Sequence, residues 1–254
     1  MAAKLTKRER RRLRKEGLLD MQYELDVHGN TQSHGFNMKK VTPRTERQSE
    51  IFEKFEDNHL MIHGYAGTGK TYVLMYLALQ QIMDPSTPYE KLKIFRSAVA
   101  TRNIGYLPGN VVSKMESFEG PYMDIAADLY GRGDAYAILK HKGMVEFHPT
   151  SFIRGSTYNN TIVLVDECQN LNWHEFSSLI TRCGMDTKYL FSGDSAQSDL
   201  YTRDWQQMDI HRMVSICDAM PSFELVEMEI DDIVRSGLVK EFLIYAQDFE
   251  SYGT

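Results

Sequence analysis

Cysteine is scarce in this chain, and long apolar runs are absent from it. The three cysteines, Cys168, Cys183 and Cys217, are an odd, unclustered set among 254 residues, which fits neither a disulfide framework nor a metal site. We therefore expect reduced thiols in a cytoplasmic compartment. No apolar run approaches the length of a membrane-spanning helix, and none follows the basic N-terminus. We expect neither a bilayer anchor nor a secretory signal.

Charge is distributed unevenly along the chain, although the net charge is only −6. Residues 1–17 contain eight basic and two acidic side chains, a net of +6, so the remainder carries −12. A basic arm on an acidic body is typical of proteins that bind nucleic acid through phosphate charge. The alternative is a solvated tail, or a tail docked on the acidic body of its own chain. We divide the chain into a basic arm (1–20), a polar lead-in segment (21–44) and one α/β domain (45–254).

The motif around which the chain is organised is Gly64-Tyr65-Ala66-Gly67-Thr68-Gly69-Lys70-Thr71, which reads G-x-x-x-x-G-K-T. A short apolar run precedes it as a predicted strand, and a longer apolar run follows it as a predicted buried helix. Its glycines allow backbone N–H groups to surround an anion at the helix N-terminus. We expect all eight residues to hold nucleotide phosphates, with Lys70 at the β- and γ-phosphates and the Thr71 hydroxyl on Mg²⁺.

A second motif supplies carboxylates. Residues 161–165 form the most strand-like run in the chain, and Asp166 and Glu167 follow it directly. In a parallel sheet both carboxylates then lie at a strand's carboxyl end, beside the P-loop. We expect Asp166 to hold Mg²⁺ and Glu167 to activate the attacking water, the alternative being an ordinary acidic loop. Another predicted strand ends at Asp194, and Gln197 after it is placed to sense the γ-phosphate or hold that water.

Three polar side chains near these motifs each have two interpretations. Gln48 lies on a predicted helix ahead of the P-loop strand, where a glutamine commonly reads the adenine edge in helicase-like ATPases. The alternative is an ordinary surface residue. Arg96 and Arg102 lie at and after the end of the second predicted strand, where ligands of α/β sheets bind. Each of them either meets a phosphate or forms a structural salt bridge.

The C-terminal part predicts one more strand, 224–230, and then a helix. Asp232 is expected to cap that helix. The apolar residues of the helix form a stripe at helical spacing, which predicts a core-facing side: Val234, Leu238, Val239, Phe242, Tyr245 and Ala246. Arg235 lies off this stripe.

The order of these motifs resembles that of the PhoH family. The resemblance covers about residues 45–248 and rests on these elements: Gly64–Thr71, Arg96 with Leu107-Pro108-Gly109, Arg154-Gly155, Asp166–Asn170, Gly193–Gln197 and Ile233–Arg235. It implies an α/β fold, a single RecA-like P-loop NTPase domain with a mostly parallel sheet and helices on both faces. It also implies ATP hydrolysis, handling of RNA or single-stranded DNA, and a bacterial or bacteriophage source. Cys168, Ser97 and Ala196 depart from the family pattern, which usually has alanine, proline and threonine there, and no ligand is lost.

The resemblance further implies a ring. Superfamily-one motors enclose ATP between two RecA-like domains, whereas this chain holds one, so we expect a neighbouring subunit to close the site. The expected assembly is a closed homo-oligomer, with a hexamer as its size and an arginine reaching the γ-phosphate across the interface. Arg235 matches the family's arginine in its element and is the first candidate, and Arg154 is the second.

Three functions are compatible with these motifs. The favoured one is a Mg²⁺-dependent ATPase that couples hydrolysis to movement on, or remodelling of, RNA or single-stranded DNA. The second is an ATP-dependent assembly switch or scaffold without motor activity. The third, a P-loop kinase of a small molecule, is disfavoured because adjacent carboxylates and the Gly-Asp-x-x-Gln element suit water activation. No attached nuclease domain is recognised, so cleavage of nucleic acid is not expected.

Overall fold

A computed structural model describes residues 36–97, 111–150, 153, 157–194 and 210–251. The strands are β1 (His59–Gly64), β2 (Lys91–Arg96), β3 (Val145–Pro149), β4 (Thr161–Asp166), β5 (Thr187–Ser192) and β6 (Phe223–Met228). The α-helices are α1 (Glu46–Phe55), α2 (Lys70–Met83), α3 (Val111–Tyr130), α4 (Ala135–His141), α5 (Trp173–Ile180), α6 (Ile210–Asp218) and α7 (Gly237–Ser251). Short 3₁₀ helices span Cys168–Asn170 and Ile230–Asp232. The basic arm, Arg102, Arg154 and Gln197 lie outside the described residues.

The strands form one parallel sheet in the order β3-β2-β4-β5-β1-β6. β4 and β5 lie at its centre, and every residue of both is buried, as expected for strands covered on both faces. The register places Leu190 opposite both Leu60 and Leu164. The predicted α/β class with a parallel sheet flanked by helices is thereby confirmed. Because the strands run in one direction, the segments that follow β1, β2, β4 and β5 meet at the same edge.

Helix α1 is fixed at both ends by side chains. Thr45 precedes it in extended conformation and accepts a hydrogen bond from the backbone N–H of Gln48, which caps the helix start. At the other end, the ammonium of Lys188 on β5 donates to the carbonyl oxygens of Phe55 and Glu56. These carbonyls have no partner within the helix, so the lysine satisfies them inside the fold.

Helix α2 is apolar on nearly all sides. It packs on β2, β4 and β5 and against α1 and α3, so most of its residues are buried. Even so, among the helices described here none is both long and apolar enough to cross a bilayer.

The C-terminal helix differs from its sequence-based prediction. Asp232 does not cap it: that residue lies in a 3₁₀ helix and accepts a hydrogen bond from the amide of Glu229. The chain then continues without helix to Gly237, where α7 begins. The predicted core-facing stripe is wrong for Leu238, Phe242 and Tyr245, which are 73%, 68% and 59% exposed. The residues before Gly237 lie beside the P-loop, where the amide of Val234 donates to the carbonyl of Gly67.

Candidate nucleotide-binding site

The P-loop joins β1 to α2 through three glycines in the left-handed region. Their φ angles are 117° at Gly64, 80° at Gly67 and 82° at Gly69, which side chains with a Cβ rarely adopt. Gly64 also has no room for a side chain, because a Cβ there would lie 2.0 Å from the carbonyl oxygen of Met228 on β6. The amide of Tyr65 donates to that same oxygen at 3.1 Å. The end of β6 therefore fixes where the P-loop begins.

Lys70, the first residue of α2, folds its side chain back over the loop. Its ammonium donates to the carbonyl oxygens of Gly64 at 2.8 Å and Tyr65 at 2.6 Å. Burial lowers the pKa of Lys70, while nearby carboxylates, Asp194 foremost, act to raise it. A bound phosphate would supply the negative charge that backbone carbonyls provide only as dipoles. Lys70 is thus placed to exchange these carbonyls for a phosphate.

Asp166 is the most enclosed carboxylate of the site. The hydroxyl of Thr71 donates to its Oδ1 at 2.8 Å, and the hydroxyl of Tyr122 donates to its Oδ2 at 2.8 Å. Burial raises the pKa of Asp166, and the charge of Glu167 raises it further. The two hydrogen bonds and the guanidinium of Arg96 act in the opposite direction, because they stabilise the ionised form.

The donor set at this point fits a divalent metal bound together with a nucleotide. The Thr71 hydroxyl and the Asp166 carboxylate offer the hard oxygen atoms that Mg²⁺ prefers. In the part of the chain that the structure describes, no group of three or more His, Cys, Asp or Glu side chains is arranged to hold a metal. Mg²⁺ seldom needs such a group, since one or two protein oxygens, water and the substrate's phosphates complete its coordination.

Glu167 has an unusual backbone conformation, with φ 53° and ψ 45°. A residue with a Cβ in this left-handed region is uncommon, and such residues cluster at functional sites. Its carboxylate accepts a hydrogen bond from Gln169 Nε2 at 2.6 Å and lies 3.7 Å from the guanidinium of Arg96. Gln169 Oε1 in turn accepts the amide of Asp194 at 3.0 Å. Arg96 at the end of β2, and Gln169 with its link to the residue after β5, therefore orient the Glu167 carboxylate. The side chain of Glu167 is 37% exposed.

Lys70, Thr71 and the carboxylates of Asp166 and Glu167 line a cavity of about 990 Å³. It extends from the P-loop and the carboxylates to the end of the segment that the sequence assigned to the lead-in. There Lys39 pairs with Asp128 at 2.6 Å, and the hydroxyl of Tyr72 donates to the same carboxylate at 2.7 Å. Sites for small ligands have volumes of about 300–1,000 Å³, so the cavity is large enough for a nucleotide.

Gln48 is a structural neighbour of the P-loop. Its Nε2 donates to the carbonyl of Thr68 at 2.9 Å, and its Oε1 accepts the amide of Arg44 at 2.9 Å. Only 3% of the residue is exposed, so the alternative interpretation as a surface residue is wrong. Gln48 does line the cavity, but the nitrogen and the oxygen of its side-chain amide already form hydrogen bonds with the protein's own backbone.

Arg235 lies beside the P-loop of its own chain. The amide of Val234 donates to the carbonyl of Gly67 at 3.1 Å, and a Cβ on Gly67 would lie 3.4 Å from Cδ of Arg235. The arginine is exposed and lines the cavity. The sequence favoured it as an arginine supplied to a neighbouring subunit, whereas this geometry places it at the phosphate loop of the same subunit.

Sequence reasoning missed two contacts of the site. Tyr122 gave no signal, because its position in α3 fits the apolar face of an ordinary helix, although its hydroxyl reaches Asp166. Gln169 stood inside the recognised Asp166–Asn170 element but received no role. Arg96, for which a phosphate contact and a salt bridge were both open, forms the ion pair with Glu167 and also lines the cavity.

A parallel sheet with a P-loop after one strand and paired carboxylates after another defines a P-loop NTPase with a RecA-like fold. Such a site binds a nucleotide with a divalent metal. The chain belongs to the PhoH family: the family described as PhoH-like protein matches residues 40–246.

Curated relatives carry the same family name. A PhoH-like protein of Mycobacterium bovis is 28% identical over 220 residues, which is 85% of this chain and 60% of that protein. A PhoH-like protein of Bacillus subtilis is 27% identical over 223 residues, covering 87% of this chain and 67% of the relative. Protein PhoH of Escherichia coli is 27% identical over 214 residues, covering 80% and 57%. The chain thus spans 60% of the length of the first of these relatives.

Two of the solved structures that the chain resembles come from bacteriophages. The large terminase of a thermophilic bacteriophage, in complex with ADP, has a TM-score of 0.48 at 12% identity, covering 79% of this chain and 49% of that chain. The UvsW helicase from bacteriophage T4 has a TM-score of 0.45 at 16% identity, covering 83% and 67%.

Proposed function

We propose that this chain is a Mg²⁺-dependent ATPase that couples hydrolysis to binding of, and movement on, RNA or single-stranded DNA. The observation that supports hydrolysis most strongly is the placement of Glu167. Its carboxylate is held by Gln169 and Arg96 next to Asp166, in the cavity that the P-loop lines. A fixed, partly exposed carboxylate beside a phosphate loop suits removal of a proton from water. The family resemblance implies that the nucleotide is ATP.

In this proposal the residues around the cavity have separate roles. Lys70 and the P-loop amides hold the β- and γ-phosphates, and Arg235 adds a positive charge beside them. Thr71 and Asp166 are the residues that would hold Mg²⁺, which when bound neutralises phosphate charge. Glu167 accepts the proton of the attacking water, so that hydroxide character develops next to the γ-phosphate.

Coupling to nucleic acid is supported by the basic composition of residues 1–17 and by the family resemblance. A steady-state ATPase assay with and without single-stranded RNA or DNA tests it. Stimulation of turnover by either polymer is the expected result. Turnover that neither polymer changes, together with assembly that depends on ATP, would favour the assembly switch or scaffold instead.

The basic arm has its own test, which is deletion of residues 1–17. If the arm binds phosphates through charge, deletion lowers the affinity for all sequences alike and flattens the slope of log affinity against log salt concentration. An unchanged slope would assign the arm to structure or assembly.

We also propose that the chain forms a closed homo-oligomer, with a hexamer as the expected size. Leu238, Phe242 and Tyr245 give α7 an exposed apolar face at helical spacing. Because α7 begins just after Arg235, a second copy docked on this face would lie near the nucleotide cavity. Phe242→Glu is expected to shift the mass in analytical ultracentrifugation towards the monomer, and an unchanged mass would contradict this interface.

The role of Arg235 can be assigned by mixing subunits. The position of Arg235 beside Gly67 of the same chain leads us to propose that Arg235 acts within its own subunit. A mixture of Lys70→Ala and Arg235→Ala subunits should then stay inactive, because neither kind carries a complete site. Recovery of activity would show that Arg235 crosses an interface, as the sequence suggested. Arg154→Ala, mixed in the same way, tests the second candidate for that position.

A further inference from the structure

Tyr122 contacts the metal-binding carboxylate from a helix that contains neither of the two nucleotide motifs. It lies on α3, directly after Pro121, and is fully buried. Its hydroxyl donates to Oδ2 of Asp166 at 2.8 Å, and its ring lies 5.8 Å from that of Phe147 on β3. The guanidinium of Arg96 is a second polar neighbour of the hydroxyl. A buried hydroxyl in this position replaces water as a partner of the carboxylate.

Both oxygens of Asp166 have a donor on the protein. The Thr71 hydroxyl donates to Oδ1 and the Tyr122 hydroxyl donates to Oδ2, each at 2.8 Å. With one donor on each oxygen, the carboxylate cannot rotate about its Cβ–Cγ bond without losing a hydrogen bond. Each oxygen can still accept a second hydrogen bond. The free positions therefore point in fixed directions, which is what ordered metal-bound water requires.

We propose that Tyr122 is a positioning residue of the metal site, which holds the Asp166 carboxylate in the orientation that receives Mg²⁺-bound water. The inference rests on the proposed function, since it assumes that Mg²⁺ accompanies the nucleotide. It extends the site to α3, whose residues Pro121, Asp124 and Ile125 line the same cavity. A displacement of α3 would then change the metal site through a single hydrogen bond.

Tyr122→Phe tests this role, because it removes the hydroxyl and leaves the ring in place. Tyr189→Phe is the matched control. The hydroxyl of Tyr189 is also buried and donates to the carbonyl of Leu179 at 2.5 Å, but it is not in the cavity. Both variants lose one buried hydrogen bond, so a similar decrease in melting temperature is expected for both. Replacement of Tyr122 by 4-aminophenylalanine keeps a donor at the end of the ring.

The measurement is binding of a fluorescent ATP analogue at increasing Mg²⁺ concentrations. It reports how nucleotide binding depends on Mg²⁺ and requires no hydrolysis. Tyr122→Phe is expected to raise the Mg²⁺ midpoint by about tenfold, the lower end of what loss of a metal ligand's hydrogen-bonding partner costs. Its affinity without metal should match that of the wild type. Tyr189→Phe and the 4-aminophenylalanine variant should keep the wild-type midpoint.

Three results would overturn the inference. An unchanged Mg²⁺ midpoint in Tyr122→Phe, with a wild type that needs Mg²⁺, removes the role of Tyr122 and leaves the proposed function intact. A raised Mg²⁺ midpoint in both tyrosine variants, or in the 4-aminophenylalanine variant, would show that the effect comes from a general loss of rigidity in the protein and not from the hydrogen bond to Asp166. A wild type whose nucleotide binding does not respond to Mg²⁺ removes the inference and the metal part of the proposed function together.

Discussion

The side-chain amide of Gln169 donates a 2.6 Å hydrogen bond to the carboxylate of Glu167. The same side chain accepts the amide of Asp194 at 3.0 Å, so it links the residues after β4 to those after β5. The orientation of Glu167 therefore depends on the relative position of two strand ends.

Gln169→Ala is expected to lower kcat by about 10²-fold, because a displacement of about 1 Å of a catalytic group can cost that much. The KM for ATP should change little, since Gln169 touches no residue of the P-loop in the described contacts. Steady-state kinetics separate the two constants. Asn170→Ala, next in the chain, serves as the control, and a loss confined to KM would contradict the positioning role.

Gln48→Ala tests whether this glutamine reads the base or supports the P-loop. Removing the amide leaves the Thr68 carbonyl and the Arg44 amide without their partner, which costs about 1–3 kcal/mol for buried groups. We expect a lower free energy of unfolding and equally weakened binding of ATP and GTP. A selective loss of ATP binding would instead show that Gln48 contacts adenine. Arg47→Ala, a change at a partly exposed residue of the same helix, is the control.

Gly193→Ala is expected to destabilise the protein by about 1–3 kcal/mol, as overpacking of a filled core does. A Cβ at Gly193 would lie 2.6 Å from Sγ of Cys168 and 2.7 Å from Cδ1 of Ile210. Cys168→Ala removes the first of these contacts and should restore part of the stability when combined with Gly193→Ala. Denaturant unfolding of the two single variants and the double variant measures the coupling, and strictly additive losses would contradict it.

The lowered pKa of Lys188 predicts how the free energy of unfolding depends on pH. Burial lowers its pKa from 10.5 to about 8, with Glu56 and Asp57 opposing that shift. Between these two values the unfolded chain binds more protons than the folded chain, so the Lys188 contribution makes the free energy of unfolding rise with pH. Lys188→Met should lack this rise while losing stability, because the Phe55 and Glu56 carbonyls lose their donor. Equal pH slopes in the two proteins would contradict the lowered pKa.

The sheet and the two nucleotide motifs could be predicted because each is encoded locally. Continuous apolar runs define buried strands, and the P-loop glycines, Asp166 and Glu167 lie next to such runs in sequence. Parallel pairing then brings the strand ends together, whatever the rest of the chain does. The central strands β4 and β5 were found for this reason.

The rest depends on contacts between distant segments. The Tyr122 hydroxyl meets Asp166 across 44 residues, and Gln48 reaches Thr68 across 20. Helical periodicity indicates which side of a helix is buried, but not which polar atom a tyrosine or glutamine meets there. The start of α7 was misplaced because the stripe that includes Leu238 has helical spacing, whereas the actual start depends on backbone contacts with the P-loop.

In the proposed function, Glu167 activates water at a site where Lys70 and the P-loop hold the nucleotide. The most direct test measures binding and hydrolysis of Mg²⁺-ATP by the wild type, Glu167→Gln and Lys70→Ala in parallel. We expect Glu167→Gln to bind as the wild type does but to lose about 10²–10⁴-fold in single-turnover phosphate release, the usual contribution of a general base. Lys70→Ala should instead bind more weakly, because the phosphates lose a charged partner. Wild-type phosphate release by Glu167→Gln would show that Glu167 does not activate the water.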